Sequence, residues 1–122
     1  MAQKIAIMED EELILNLLER KLIKEGYELL VARNGEEGLK LIKEKKPDLL
    51  LLDIIMPIKG GFEVLEEMQK DDNLKDIPII IISNSGQPVE IDKAQKLGAK
   101  DWLIKTDFDP QEVIDKIKKQ IG

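Results

Sequence analysis

The stretch Pro47–Asp48–Leu49–Leu50–Leu51–Leu52–Asp53 decides the fold. It is apolar at every position between two carboxylates. A short run without alternation reads as a strand buried on both faces, as in a parallel sheet covered by helices. Pro47 bars a helix from entering it, and Met56–Pro57 and Gly60–Gly61 close it off. Asp53 then stands where a buried strand surfaces, at its C-terminal end. In open α/β sheets that edge is where ligands bind.

Working outward, other runs end in the same way. Lys4–Ile5–Ala6–Ile7–Met8 leads into Glu9–Asp10–Glu11–Glu12. Ile77–Pro78–Ile79–Ile80–Ile81–Ile82 ends at Ser83–Asn84–Ser85–Gly86, and Lys100–Ile104 ends at Lys105. A further strand is expected at Glu28–Ala32. Between the strands lie amphipathic stretches: Glu11–Lys24, with Ile14, Leu17, Leu18 and Leu22 on one face; Glu36–Lys45; Phe62–Lys70, with Phe62, Leu65 and Met68 inward; Val89–Leu97; and Gln111–Gln120, with Val113, Ile114, Ile117 and Ile121 inward. Asp10 is placed to cap the first helix and Gly26 to end it, Gly98 to end the fourth, and Pro88 to open its first turn. The polar stretch Asp71–Asp76 reads as a loop. Strict alternation of five strands and five helices predicts an α/β, doubly wound parallel sheet with right-handed crossovers, in one domain over residues 1–122.

That topology gathers Glu9, Asp10, Asp53, Ser83 and Lys105 on one sheet edge. Two carboxylates about 4 Å apart repel by about 4 kcal/mol at an effective dielectric near 20. The cluster therefore calls for a cation, a proton or an ammonium partner. Oxygen-only donors favour Mg²⁺, Mn²⁺ or Ca²⁺ over zinc. Taken singly, Asp53 would read as a turn residue, Ser83 likewise, Lys105 as a surface lysine and Glu11 and Glu12 as solvated acids. Their convergence is what gives the edge a chemistry.

Composition narrows that chemistry. The chain has no Cys and no His, which removes thiolate nucleophiles, disulfides, the usual zinc ligands and the usual general base. The net charge of −6 argues against nucleic acid as a direct partner. No apolar run is long enough to span a bilayer and no signal-peptide core opens the chain, so the expected location is cytoplasmic, without membrane insertion.

Together these residues resemble the receiver domain of two-component response regulators, of the single-domain chemotaxis-regulator type. The resemblance runs along essentially the whole chain. It rests on Glu9–Asp10, on Asp53–Ile54–Ile55–Met56–Pro57 with Gly61, on Ser83, and on Gly98–Ala99–Lys100–Asp101–Trp102–Leu103–Ile104–Lys105. It implies a flavodoxin-like (βα)5 fold with strand order 2-1-3-4-5. It implies that Asp53 accepts a phosphoryl group from a sensor histidine kinase or histidine phosphotransfer protein. Asp10, Glu9, Asp53 and the Ile55 carbonyl would hold Mg²⁺ (or Mn²⁺), Lys105 would pair with phosphoryl oxygens, and Ser83 and Trp102 would carry the switch. The output would be altered contacts with a downstream protein target on the face of the fourth helix, fifth strand and fifth helix, with no output domain in the chain. A phosphorylation-dependent homodimer through that face is left open.

The chain departs from the family pattern at several places. Glu9 stands where Asp is usual, Asn84 where a small residue is usual, and Thr106 where the family has a proline whose peptide is typically cis. Ile55 and Ser85 occupy positions that tune water attack on the phosphoryl group, and apolar Ile55 predicts slow autodephosphorylation. Glu9, Asn84 and Thr106 support an alternative, a pseudo-receiver acting as a phosphorylation-independent binding module. A flavodoxin is disfavoured by the four acids after the first strand, and a haloacid-dehalogenase-type phosphatase by Ile55, where a second Asp would be needed. Beyond self-phosphorylation and its reversal, no metabolic activity is expected.

Overall fold

A computed structural model describes residues 2–107 and 109–122. The order of elements is β1 (Lys4–Met8), α1 (Glu12–Lys24), β2 (Glu28–Ala32), α2 (Gly35–Lys45), β3 (Leu49–Asp53), α3 (Gly61–Gln69), β4 (Ile79–Ser83), α4 (Pro88–Lys96), β5 (Asp101–Ile104) and α5 (Pro110–Ile121). All strand pairings are parallel and the order is β2-β1-β3-β4-β5. This is the doubly wound, flavodoxin-like sheet expected from the alternation of runs. The order reverses between β1 and β3, so the ends of these two strands flank the crevice where such sheets bind ligands.

The uniform apolarity of β1, β3 and β4 has its reason in two cores. Residues alternate between sheet faces along each strand. Ile5, Ile7, Leu49, Leu51, Ile80 and Ile82 pack with Leu15, Leu18 and Leu22 of α1 and with Val113, Ile114 and Ile117 of α5. Ala6, Met8, Leu50, Leu52, Ile79 and Ile81 pack on the other side with Leu39, Ile42, Val64, Leu65, Met68 and Ala94. Each buried Leu or Ile contributes about 1.5–3 kcal/mol relative to exposure. A polar residue in either register would face a core, which is why none interrupts these strands before their ends.

Several local expectations need correction. In α1 Leu15 joins Leu18 and Leu22 in the core, whereas Leu17 is 43% exposed. Val64 joins Leu65 and Met68 on the inner face of α3, while Phe62 is only partly buried. β4 begins at Ile79, because Pro78 has no N–H for the ladder and offers only its carbonyl, to Leu50 N at 2.9 Å. The loop after α3 is not wholly polar, since Leu74 is buried in the core. Gly26 and Gly98, both at positive φ, close α1 and α4 as expected. The N-cap of α1 is Glu11 rather than Asp10, and no side chain of its own caps the helix.

Candidate functional site

The strand ends deliver the site directly. Asp53 is the last residue of β3 and Ser83 the last of β4, and both are buried. Glu9 follows β1 and is drawn inward by its backbone N–H, which donates to Ala32 O at 3.0 Å. Lys105 follows β5, and its N–H donates to Ser83 O at 2.7 Å, which extends the ladder by one residue. That bond aims the lysine across the ends of β4 and β3 toward the acids.

Lys105 Nζ lies 2.6 Å from Glu9 Oε1 and 3.1 Å from Asp53 Oδ2, with all three side chains almost fully enclosed. Glu9 Oε1 nevertheless makes no hydrogen bond, because the ammonium approaches outside hydrogen-bonding angles. Its other oxygen, Oε2, accepts from Asp10 N at 3.0 Å and, weakly, from Glu11 N at 3.5 Å. These bonds fix the residues leading into α1, and the side-chain cap expected from Asp10 is not made. Asp53 Oδ1 accepts a long bond from Ile55 N at 3.3 Å, which leaves it free toward the cavity.

Electrostatics follow from this enclosure. Burial pushes the Glu9 carboxyl up to about 8; the neighbouring Asp53 carboxylate adds to the rise and Lys105 opposes it. Burial acts to lower Lys105, but its contacts with Glu9 and Asp53 and their charges outweigh that and hold it above its ordinary value. One ammonium therefore serves two buried carboxyls, and the site is short of positive charge.

Glu9, Asp10 and Asp53 each bring one carboxylate oxygen within 4.8 Å of the others. A buried oxygen without a hydrogen bond, beside two further carboxylates and no nitrogen or sulfur donor, fits a hard divalent cation such as Mg²⁺ or Mn²⁺. The adjoining cavity, about 160 Å³, is lined by Asp10, Glu11, Asp53, Ile55, Ser83, Asn84 and Lys105. It is of the size of a small anion with its waters. A larger cleft of about 490 Å³, lined by Lys43, Glu67, Asp71 and Asn73 among others, lies far from the strand ends and is open to solvent.

The loops around the cavity are tied down. Between β3 and α3, Gly61 N donates to Ile54 O at 2.8 Å and Gly35 N to Lys59 O at 3.0 Å. A Cβ on Gly35 would come within 2.5 Å of that Lys59 carbonyl, so the start of α2 admits only glycine against this loop. At its tip Lys59 N donates to Pro57 O at 2.7 Å, a three-residue turn centred on Ile58 at φ +68°. After β4, Trp102 Nε1 donates to Ser85 O at 2.9 Å, and Ser85 Oγ meets Glu90 Oε1 at 3.2 Å. Trp102 is half-buried against the core. The Lys105–Thr106 peptide is trans. Asn84 is exposed at the cavity mouth, and Ile55 is 73% exposed beside it.

One acid was misjudged from sequence. Glu11 is not merely solvated: its Oε2 stands 3.5 Å from Lys105 Nζ. Because the signal is a contact across the sheet edge, no local pattern announces it. Glu12 instead pairs with Arg33 at the surface.

Comparison with known proteins agrees with this architecture. Residues 5–118 match the response regulator receiver domain. Among solved structures, the chemotaxis protein CheY4 of Vibrio cholerae superposes with a TM-score of 0.91 at 24% identity, covering 98% of this chain and 99% of that one. The phosphorylated cyanobacterial phytochrome response regulator RcpA gives 0.87 at 27% identity, covering 98% and 93%. The receiver domain of sensor histidine kinase PA1611 from Pseudomonas aeruginosa PAO1, which holds a magnesium ion in its active site cleft, gives 0.90 at 22% identity, covering 100% and 99%. No helix among the described residues is long and apolar enough to cross a membrane. A sheet whose β1, β3, β4 and β5 ends bring two acids, a buried aspartate, a serine and a lysine together, matched over nearly its whole length, makes this chain a member of the response regulator receiver domain family of two-component signalling.

Proposed function

We propose that the chain is a phosphorylatable switch whose acceptor is Asp53, fed by a sensor histidine kinase or a histidine phosphotransfer protein. The observation that carries this reading is the buried Lys105 bridging Glu9 and Asp53 beside a three-carboxylate cluster. In the transfer an Asp53 carboxylate oxygen bonds to phosphorus. The P–N bond to the donor imidazole breaks, and imidazole leaves with the proton of its other nitrogen. A carboxylate attacking a phosphoryl group meets like charge, and phosphoryl transfer is largely positioning and electrostatics. Lys105 pairs with the phosphoryl oxygens, and Glu9, Asp10, Asp53 and the Ile55 carbonyl hold the cation. Bound Mg²⁺ or Mn²⁺ supplies charge neutralisation; the magnesium-bearing PA1611 receiver and the phosphorylated RcpA are precedents in relatives.

Ser83, at the end of β4, donates to the phosphoryl group in this reading. Drawing it inward moves the loop that Trp102 grips through Ser85, and so reshapes the face of α4, β5 and α5. That face is the proposed contact for a downstream protein or a second copy, and the cytoplasm the proposed location.

Intact mass after incubation with acetyl phosphate and Mg²⁺ tests the reading. One added phosphoryl group is expected, lost with EDTA and absent in Asp53→Asn. No uptake in Mg²⁺-loaded protein would instead support the pseudo-receiver, a reading that Glu9, Asn84 and Thr106 favour.

A further inference from the structure

Glu11 is the N-cap residue of α1, yet its side chain makes no capping bond. Glu9 Oε2 instead takes the N–H groups of Asp10 and Glu11, which lead into the helix. The Glu11 carboxylate lies toward Lys105, 3.5 Å away, where it also lines the cavity beside Asp53. Unlike Glu9 it is 47% exposed, so it stands at the mouth rather than in the floor.

The charges around the cavity then sum unfavourably for an anion. Glu9, Asp10, Glu11 and Asp53 face one lysine, and a divalent cation leaves the ionised set one negative charge in excess, the one carried by Glu11. Glu11 also competes for the ammonium that incoming phosphoryl oxygens need. A small dianionic donor has only its phosphoryl group with which to offset both effects. A protein donor adds binding from its own surface.

We propose that Glu11 is a specificity-determining residue that selects against small dianionic phosphodonors. This rests on Asp53 being the acceptor. In the reaction with acetyl phosphate, an Asp53 oxygen bonds to phosphorus, the phosphorus–oxygen bond to the acetyl group breaks, and acetate leaves with the electron pair.

The test compares wild type, Glu11→Gln and Glu11→Asp at saturating Mg²⁺ and subsaturating donor, by initial rate of phosphoryl uptake. With dianionic acetyl phosphate, Glu11→Gln is expected to react about three- to tenfold faster, as for one unit charge acting on a dianion in a wet cleft, and the gain should shrink with added salt. With monoanionic phosphoramidate the gain should be about the square root of that factor, since half the charge halves the energy. Glu11→Asp keeps the charge but shortens the reach to Lys105, and should fall between wild type and Glu11→Gln. Equal rates in wild type and Glu11→Gln, or the same gain for both donors at every salt concentration, overturn the proposal while leaving Asp53 as acceptor. No uptake by any of the proteins overturns the functional reading, and the proposal with it.

Discussion

Lys105 Nζ sits 2.6 Å from Glu9 Oε1 and 3.1 Å from Asp53 Oδ2, so a single buried ammonium holds together the ends of β1, β3 and β5. Residues 96 and 52 positions apart in sequence become one electrostatic unit (105 − 9 and 105 − 53).

Removing the cation exposes that dependence. Lys105→Met fills the same space without the charge and leaves the carboxyls unpartnered. At a pH where Glu9 is ionised, which the loss of the pKa-lowering Lys105 moves above the wild-type value of about 8, the metal-free variant is expected to lose about 3 kcal/mol of stability, as when one partner of a buried pair is deleted. Below that pH the loss should shrink, because a protonated Glu9 needs no cation, and Mg²⁺ should restore part of it. Urea unfolding across pH, with and without Mg²⁺, measures this; a pH-independent loss counts against the pairing.

Glu9 sets a second pH dependence in the wild type. Its carboxyl rises from an ordinary 4.5 to about 8 on folding, through burial and then Asp53. Between those values the folded state binds more protons than the unfolded one. Metal-free stability should therefore fall as pH rises through that window and level off above it. Mg²⁺ must displace the Glu9 proton, so its affinity should climb with pH to about 8 and then flatten. Calorimetry in buffers of different ionisation enthalpy should show up to about one proton released below that pH. A flat affinity over the window contradicts the assignment of Glu9.

Ile58 tests the loop that carries Ile55. A β-branched residue at φ +68° is strained, and Ile58 is 74% exposed, so little apolar burial offsets the strain. Ile58→Gly should stabilise the protein by about 0.5–1 kcal/mol, the left-handed penalty of about 1–2 kcal/mol less the added freedom of the unfolded chain. Destabilisation in thermal or urea unfolding would mean that the side chain contributes packing beyond its visible contacts.

Ile55 bears on phosphoryl lifetime. It lines the cavity, and its side chain has no group to orient a water. Ile55→Asn should shorten the lifetime of the acyl phosphate by about tenfold, a modest return for positioning one nucleophile. A decay course in Mg²⁺ after donor removal decides it; loss within seconds in the wild type would contradict the slow hydrolysis proposed.

Much of this was legible in the sequence because strands buried on both faces leave no ambiguity. Leu49–Leu52 and Ile79–Ile82 admit no polar face, and the acid or serine that follows marks where each strand surfaces. The amphipathic helices were less clear. In α1, Leu13, Ile14, Leu15, Leu17 and Leu18 crowd the period, and only packing on the sheet selects Leu15 and Leu18 while leaving Leu13 and Leu17 outside. Likewise, a row of four acids after β1 does not say which caps the helix, which binds inward and which reaches Lys105. Glu9 binds inward because its N–H is held by Ala32 O at the sheet edge.

The most direct test of Asp53 as acceptor is borohydride trapping after phosphorylation, which reduces an aspartyl phosphate to homoserine, followed by peptide mapping. Homoserine at position 53 alone is the expected result. Reduction at Asp10, at Glu9 or at no carboxylate in phosphorylated protein would contradict the account.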